Sequence, residues 1–153
     1  MALFLNPDNK SFQKDVNSKV YVDKTNLIEY TNDVINTNQC FICNSRPRRF
    51  GKSMTADMLC AYYSKGCDSK ELFLPYAISK SSSFEKYLNQ YDVLRIDLQA
   101  CIALAKDATN VVRYIEENCI YELKQSYSDL DLSRQDTLLG TLHAIHYETG
   151  NMF

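Results

Sequence analysis

The residues with the clearest chemical capability are Gly51, Lys52 and Ser53, which end a loop between an apolar run and a stretch with helical spacing. Glycine lets the backbone approach a bound group, a lysine ammonium reaches phosphate oxygens, and a serine hydroxyl can bind Mg²⁺. This order is typical of a phosphate-binding loop, in which Lys52 reaches the β- and γ-phosphates and Ser53 binds the metal. We therefore predict that the chain binds a nucleotide.

The loop before Gly51 departs from the common pattern G-x-x-x-x-G-K-[ST], because Arg46 occupies the position of the first glycine. Backbone N–H groups from about Arg48 to Ser53 are expected to point into one concavity and bind phosphate oxygens. The three arginines either contact a phosphate or face solvent and pair with carboxylates. The predicted nucleotide contacts are Arg46, Arg48, Arg49, Phe50, Gly51, Lys52 and Ser53.

Two elements must position this loop. The short apolar run from Cys40 to Cys43 predicts a buried strand. After the loop, Met54, Met58 and Tyr62 recur at helical spacing, and Lys65-Gly66 closes that pattern. Strand, loop and helix in this order form the context that a phosphate-binding loop requires.

The rest of the chain predicts a mixture of helices and strands. The further predicted elements are a helix capped by Asn26, a strand over residues 92–98, a helix from Asp107 to about Tyr127, and a helix that begins with a Ser133–Asp136 capping box and ends at Gly150. We predict an α/β fold with a parallel sheet flanked by helices, in one domain over residues 1–153.

Two segments together resemble the predicted AAA-ATPase-like family. They are Tyr21-Val22-Asp23-Lys24-Thr25 and Ser45-Arg46-Pro47-Arg48-Arg49-Phe50-Gly51-Lys52-Ser53. The resemblance spans most of the chain and makes the missing first glycine a family trait. It implies a P-loop ATPase domain that uses ATP and Mg²⁺, with Lys52 and Ser53 as their contacts. A nuclease-like domain often follows in such proteins.

The chain ends where the family would continue. Family members carry a Walker B strand with terminal acids soon after a segment like Thr149-Gly150-Asn151, whereas this chain stops at Phe153. We therefore expect a fold truncated before that strand and a chain that is inactive as an ATPase on its own. The unpaired sheet edge is expected to lower stability or to pair two copies.

Acidic residues inside the chain have competing interpretations. Asp97, near the end of the predicted strand over residues 92–98, could hold a metal or play a structural role, and the structural role is favoured. Asp23 and Lys24 are interpreted as capping or packing residues of a helix in preference to catalytic ones.

Composition supports a globular protein, with 45% hydrophobic and 24% charged residues. The net charge of −2 gives no global basic field for nucleic acid. Neither a membrane span nor a signal peptide is recognisable, so we expect a cytoplasmic protein with reduced cysteines. Cys40, Cys43, His143 and His146 are residue types that can bind zinc, but we favour ordinary structural roles for them.

Three functions remain open at the level of sequence. The favoured one is an ATP-binding domain of a larger ATPase, whose hydrolytic acids lie outside this chain. The alternatives are a nucleotide sensor without turnover and an interaction module whose arginines bind a phosphate backbone or nucleic acid. The preference for ATP over GTP comes from the resemblance alone.

Overall fold

The computed structural model describes residues 3–45, 47 and 49–153. The chain forms two compact units. One comprises Asp8–Gln90 and contains the predicted phosphate-binding loop, and we call it the loop unit. The other comprises the residues up to Pro7 together with Tyr91–Phe153, and we call it the terminal unit. The assignment of residues 1–153 to one domain stays a prediction.

The loop unit is built from helices around an aromatic core. Phe12 and Phe73 stack with their ring centroids 5.1 Å apart, and Tyr62 meets Phe73 edge-on at 5.5 Å. All three side chains are buried, as aromatic rings with a large apolar area should be. The helices are α1 (Lys10–Val16), α2 (Asn26–Val34), α3 (Lys52–Tyr63), α4 (Lys70–Phe73) and α5 (Phe84–Tyr87), with a 3₁₀ helix over Ala77–Lys80.

A buried polar network fixes the C-terminal end of α3. The Asn32 side chain of α2 donates to the Tyr62 hydroxyl at 3.0 Å and accepts from the Tyr63 hydroxyl at 2.6 Å. The Tyr62 hydroxyl in turn donates to the Phe84 carbonyl at 2.7 Å. Because buried polar groups are costly unless paired, this network specifies how α3 sits against α2. The opposite end of α3, which begins with Lys52, lies at the surface.

In the terminal unit, two helices pack around an aliphatic cluster. Leu5, Leu123, Leu132 and Ile145 form that cluster and are all buried. The Glu122 carboxylate accepts the backbone N–H groups of Phe4 and Leu5 at 2.9 and 2.8 Å, which ties the N-terminal segment to this unit. The helices are α6 (Leu98–Ala105), α7 (Val111–Ser126) and α8 (Leu138–Thr149), with a 3₁₀ helix over Ala108–Asn110.

The predicted α/β fold with a parallel sheet is wrong for the part of the chain that the structure describes, because that part is mainly helical and forms no sheet. An antiparallel bridge joins Leu5 to Leu94, with Asn6 N–H donating to the Val93 carbonyl at 2.8 Å. The predicted strand at Cys40–Cys43 is an exposed segment without regular structure, and its Phe41 is 93% exposed. A short apolar run needs neighbouring strands to become a sheet, and these residues have none among those described.

Local capping explains the other differences from the sequence prediction. The predicted strand over residues 92–98 is wrong, because that segment forms an isolated bridge at Leu94 instead of a strand. At its end the Asp97 carboxylate caps α6, accepting from the N–H groups of Gln99 and Ala100 at 3.0 and 3.1 Å. The capping box predicted at Ser133 is also wrong, because the Thr137 hydroxyl caps α8.

Several helix predictions are confirmed. The long helix expected between Asp107 and Tyr127 is present as α7, and Gly150 ends α8 with φ 69°. The helix predicted from Asn26 is also present, although Thr25 is its N-cap residue.

Candidate functional site

The predicted phosphate-binding residues lie where α3 begins. Gly51 is the N-cap residue and adopts a left-handed conformation with φ 75° and ψ 29°. Its carbonyl accepts from the Thr55 N–H at 2.9 Å, so the helix starts at Lys52 and continues for 12 residues. The first N–H groups of a helix have no partner within the helix and form its positive end. Lys52 and Ser53 therefore occupy the turn where a helix attracts anions.

The predicted nucleotide contacts that the structure describes around Gly51 are exposed to solvent. Arg49 has φ 68° and is exposed, and Phe50 is 58% exposed. The side chains of Lys52 and Ser53 are exposed as well. Arg46 and Arg48 lie outside the described residues, so their predicted phosphate contacts stay predictions.

A second lysine, Lys24, reaches the same loop from the segment before α2. Its ammonium donates to the Phe50 carbonyl at 3.2 Å. A Cβ atom placed on Gly51 would lie 2.8 Å from Lys24 Nζ. The sequence favours a capping or packing role for Lys24, an interpretation that does not predict this position. The available signal was that Lys24 lies in one of the two segments that carry the family resemblance.

Asp23 and Thr25, the neighbours of Lys24, anchor its backbone. The Asp23 carboxylate accepts the N–H groups of Thr25 and Ala77 at 2.8 and 2.9 Å. Burial pushes the pKa of Asp23 upward, but these backbone hydrogen bonds outweigh it and lower the pKa below its ordinary value. Thr25 is fully buried, and its hydroxyl accepts the Ile78 N–H at 3.1 Å. Lys24 thus extends from a fixed backbone position toward the loop.

A cavity of about 340 Å³ adjoins this loop. Val20 and Val22 contribute one part of its lining, and Met54 and Met58 of α3 contribute another. Lys24 and Gly51 also line it, so the cavity and the start of α3 share residues. The arrangement combines an anion-attracting helix start, two lysines and a largely apolar hollow.

A family model described as predicted AAA-ATPase matches residues 10–152. The chain belongs to this family of predicted AAA-ATPases. The match confirms the resemblance derived from the sequence, and it includes both the Lys24 segment and the loop before α3. No curated protein and no solved structure matches the chain.

The described residues contain neither a group suited to hold a metal ion nor a helix suited to span a membrane. Among them, no three His, Cys, Asp or Glu side chains come together in a group that could hold a metal ion. None of its helices, again within the described part, has both the length and the apolar character needed to cross a lipid bilayer.

Proposed function

We propose that this predicted AAA-ATPase binds a nucleoside triphosphate with Mg²⁺ at the start of α3. The observation that carries the proposal is the left-handed Gly51 at the start of a helix that begins Lys52-Ser53, with the Lys24 ammonium donating to the Phe50 carbonyl just before it. Membership of the family supports ATP as the triphosphate. Lys52 and Ser53 are the proposed contacts to phosphate and metal.

The physical basis is the concentration of positive charge at one helix end. The N–H groups of the first turn, which have no partner within the helix, and the helix dipole attract an anion. Lys52 begins this turn, Lys24 approaches Gly51, and Arg49 precedes it with an exposed side chain. A triphosphate carries several negative charges, so it gains from each of these groups at once. Gly51 lets the phosphate approach the backbone because it carries no Cβ atom.

The residues present fit a magnesium ion that is held mainly by its nucleotide. Mg²⁺ usually keeps several waters and binds phosphate oxygens, with few ligands from the protein. Ser53 offers one exposed hydroxyl in the first turn of α3, beside the proposed phosphate position. When bound, the ion would neutralise phosphate charge. The hydrolytic step and a following nuclease-like domain rest on the resemblance alone.

Calorimetric titration of Mg-ATP into the wild type, Lys52→Ala and Lys80→Ala tests the proposal. Lys80 is an exposed lysine of the same unit and lies outside the loop, so its substitution is a matched control. We expect Lys52→Ala to weaken binding by about tenfold or more, because a charge-assisted contact is lost. The control should bind like the wild type. Equal affinity for Mg-ATP in all three proteins would overturn the proposal.

A further inference from the structure

The cavity beside Gly51 exposes apolar side chains that a folded protein usually covers. Val20 and Val22 are 81% and 64% exposed, although both line a concave surface. Met58 lies against the same hollow and is almost fully buried at 1% exposed. Apolar walls around a hollow with a few polar groups at its edge are typical of a ligand site.

The position of the cavity relates it to the proposed phosphate site. Gly51 belongs both to the cavity lining and to the N-cap of α3. Lys24 also lines the cavity while its ammonium contacts the Phe50 carbonyl. A molecule whose phosphates bind at the start of α3 therefore has the cavity directly beside its phosphate chain.

We propose that this cavity receives the base of the nucleotide whose phosphates bind at the start of α3. This proposal rests on the proposed function. The volume of about 340 Å³ lies near the lower end of the range for small-molecule pockets and suits one planar ring system with its sugar. Val22 and Met54 offer apolar contacts to the faces of the base, and the methionine sulfur packs favourably against aromatic rings.

The edge of the cavity supplies groups for both the base and the phosphates. Phe50 lines the cavity and is 58% exposed, so its ring is available for stacking. Lys24 carries only hydrogen-bond donors and stands where the cavity meets the loop. Lys24 therefore suits a phosphate oxygen, while the walls formed by Val20, Val22 and Met54 suit the base.

The test compares Mg-ATP with Mg-tripolyphosphate, which has the phosphates but no base or sugar. Val22→Trp places a large ring at the cavity wall, and Val112→Trp is the matched control because Val112 is 66% exposed and lies outside the cavity lining. We expect Val22→Trp to bind Mg-ATP at least about tenfold more weakly, since stacking and burial of a base contribute about this much. Its affinity for Mg-tripolyphosphate should stay at the wild-type value, as should both affinities of the control.

Fluorescence gives a second measurement, because the chain contains no tryptophan. In Val20→Trp, the new indole lies at the most exposed part of the wall, and Mg-ATP should change its emission while Mg-tripolyphosphate should not. Unchanged Mg-ATP affinity in Val22→Trp would overturn the proposal. An equal loss of affinity for both ligands would also overturn it, because the substitution would then act through the loop.

Failure of this proposal is distinguishable from failure of the proposed function. If Lys52→Ala weakens both ligands but the wild type binds them equally well, phosphate binding stands and the base site is wrong. If neither affinity depends on Lys52, the proposed function itself is wrong.

Discussion

Two lysines that are distant in sequence lie at the same short loop of the loop unit. Lys52 starts α3, and Lys24 donates from the segment before α2 to the Phe50 carbonyl. Asp23 and Thr25 hold the backbone on both sides of Lys24 through hydrogen bonds to residues of the 3₁₀ helix Ala77–Lys80. Because its backbone is anchored on both sides, Lys24 keeps its ammonium within reach of Gly51, which favours a role toward a bound anion.

At the scale of this residue, we expect Lys24→Met to weaken Mg-ATP binding by about threefold to tenfold, because one phosphate contact with a charged donor is lost. Methionine keeps most of the length and apolar contact of the side chain. The free energy of unfolding should change by less than about 0.5 kcal/mol, since Lys24 is exposed. Calorimetry and urea unfolding measure the two quantities, and Lys80→Met is the control. Wild-type affinity in Lys24→Met would contradict the assigned role.

Among the elements, the start of α3 depends on the left-handed conformation of Gly51. Substitution of this glycine by alanine therefore tests that conformation directly. Gly51 and Gly150 have similar positive angles, φ 75° and φ 69°, and both flank a helix. A Cβ atom on Gly51 would press on Lys24 Nζ, whereas one on Gly150 would meet nothing within 4 Å. Comparing Gly51→Ala with Gly150→Ala therefore separates the effect of backbone strain from the effect of displacing Lys24.

We expect Gly51→Ala and Gly150→Ala each to lower the free energy of unfolding by about 1 kcal/mol, because alanine disfavours the left-handed region. The lysine tip can move aside cheaply, so the two losses should be similar. Only Gly51→Ala should also weaken Mg-ATP binding, because its Cβ occupies the phosphate approach and shifts Lys24. Urea unfolding with calorimetry checks both effects. Equal Mg-ATP affinity in the two variants would refute this account of Gly51.

Elements set by local signals were predictable from the sequence. The start of α3 follows from Gly51-Lys52-Ser53, and the end of α8 follows from Gly150, because each signal acts within one helical turn. Asp97 shows how two local signals compete, since its side chain caps α6 where apolar alternation predicted a continuing strand. The position of Lys24 could not be predicted in the same way, because it depends on how α2 and α3 pack.

The sheet was not predictable because strand pairing is decided by distant residues. The run Cys40–Cys43 has the apolar character of a buried strand, but burial requires neighbours on both sides. Among the described residues it has no strand partner, and it stays exposed before the loop. By contrast, Leu94 pairs with Leu5 because the Glu122 carboxylate holds the N-terminal segment nearby.

For the molecule as a whole, the same exposed segment is where we expect copies of the chain to meet. Phe41 is 93% exposed and Ile42 is 41% exposed, beside exposed cysteines at positions 40 and 43. Apolar side chains in an extended segment favour pairing with another chain. Pairing of copies at the edge of a parallel sheet loses its basis, because the described residues form no sheet. Self-association itself stays a prediction, and we expect it at residues 40–43.

We expect the wild type to show an apparent mass that rises with concentration in sedimentation velocity, and Phe41→Ser to reduce that rise, because the substitution removes the most exposed apolar ring of the segment. Tyr147→Ser is the control, since Tyr147 is 86% exposed and belongs to α8. A rise that Tyr147→Ser abolishes and Phe41→Ser leaves intact would place self-association elsewhere on the chain. A wild type that stays monomeric at micromolar concentration would show that residues 40–43 do not join copies, and the exposure of Phe41 would then need another cause.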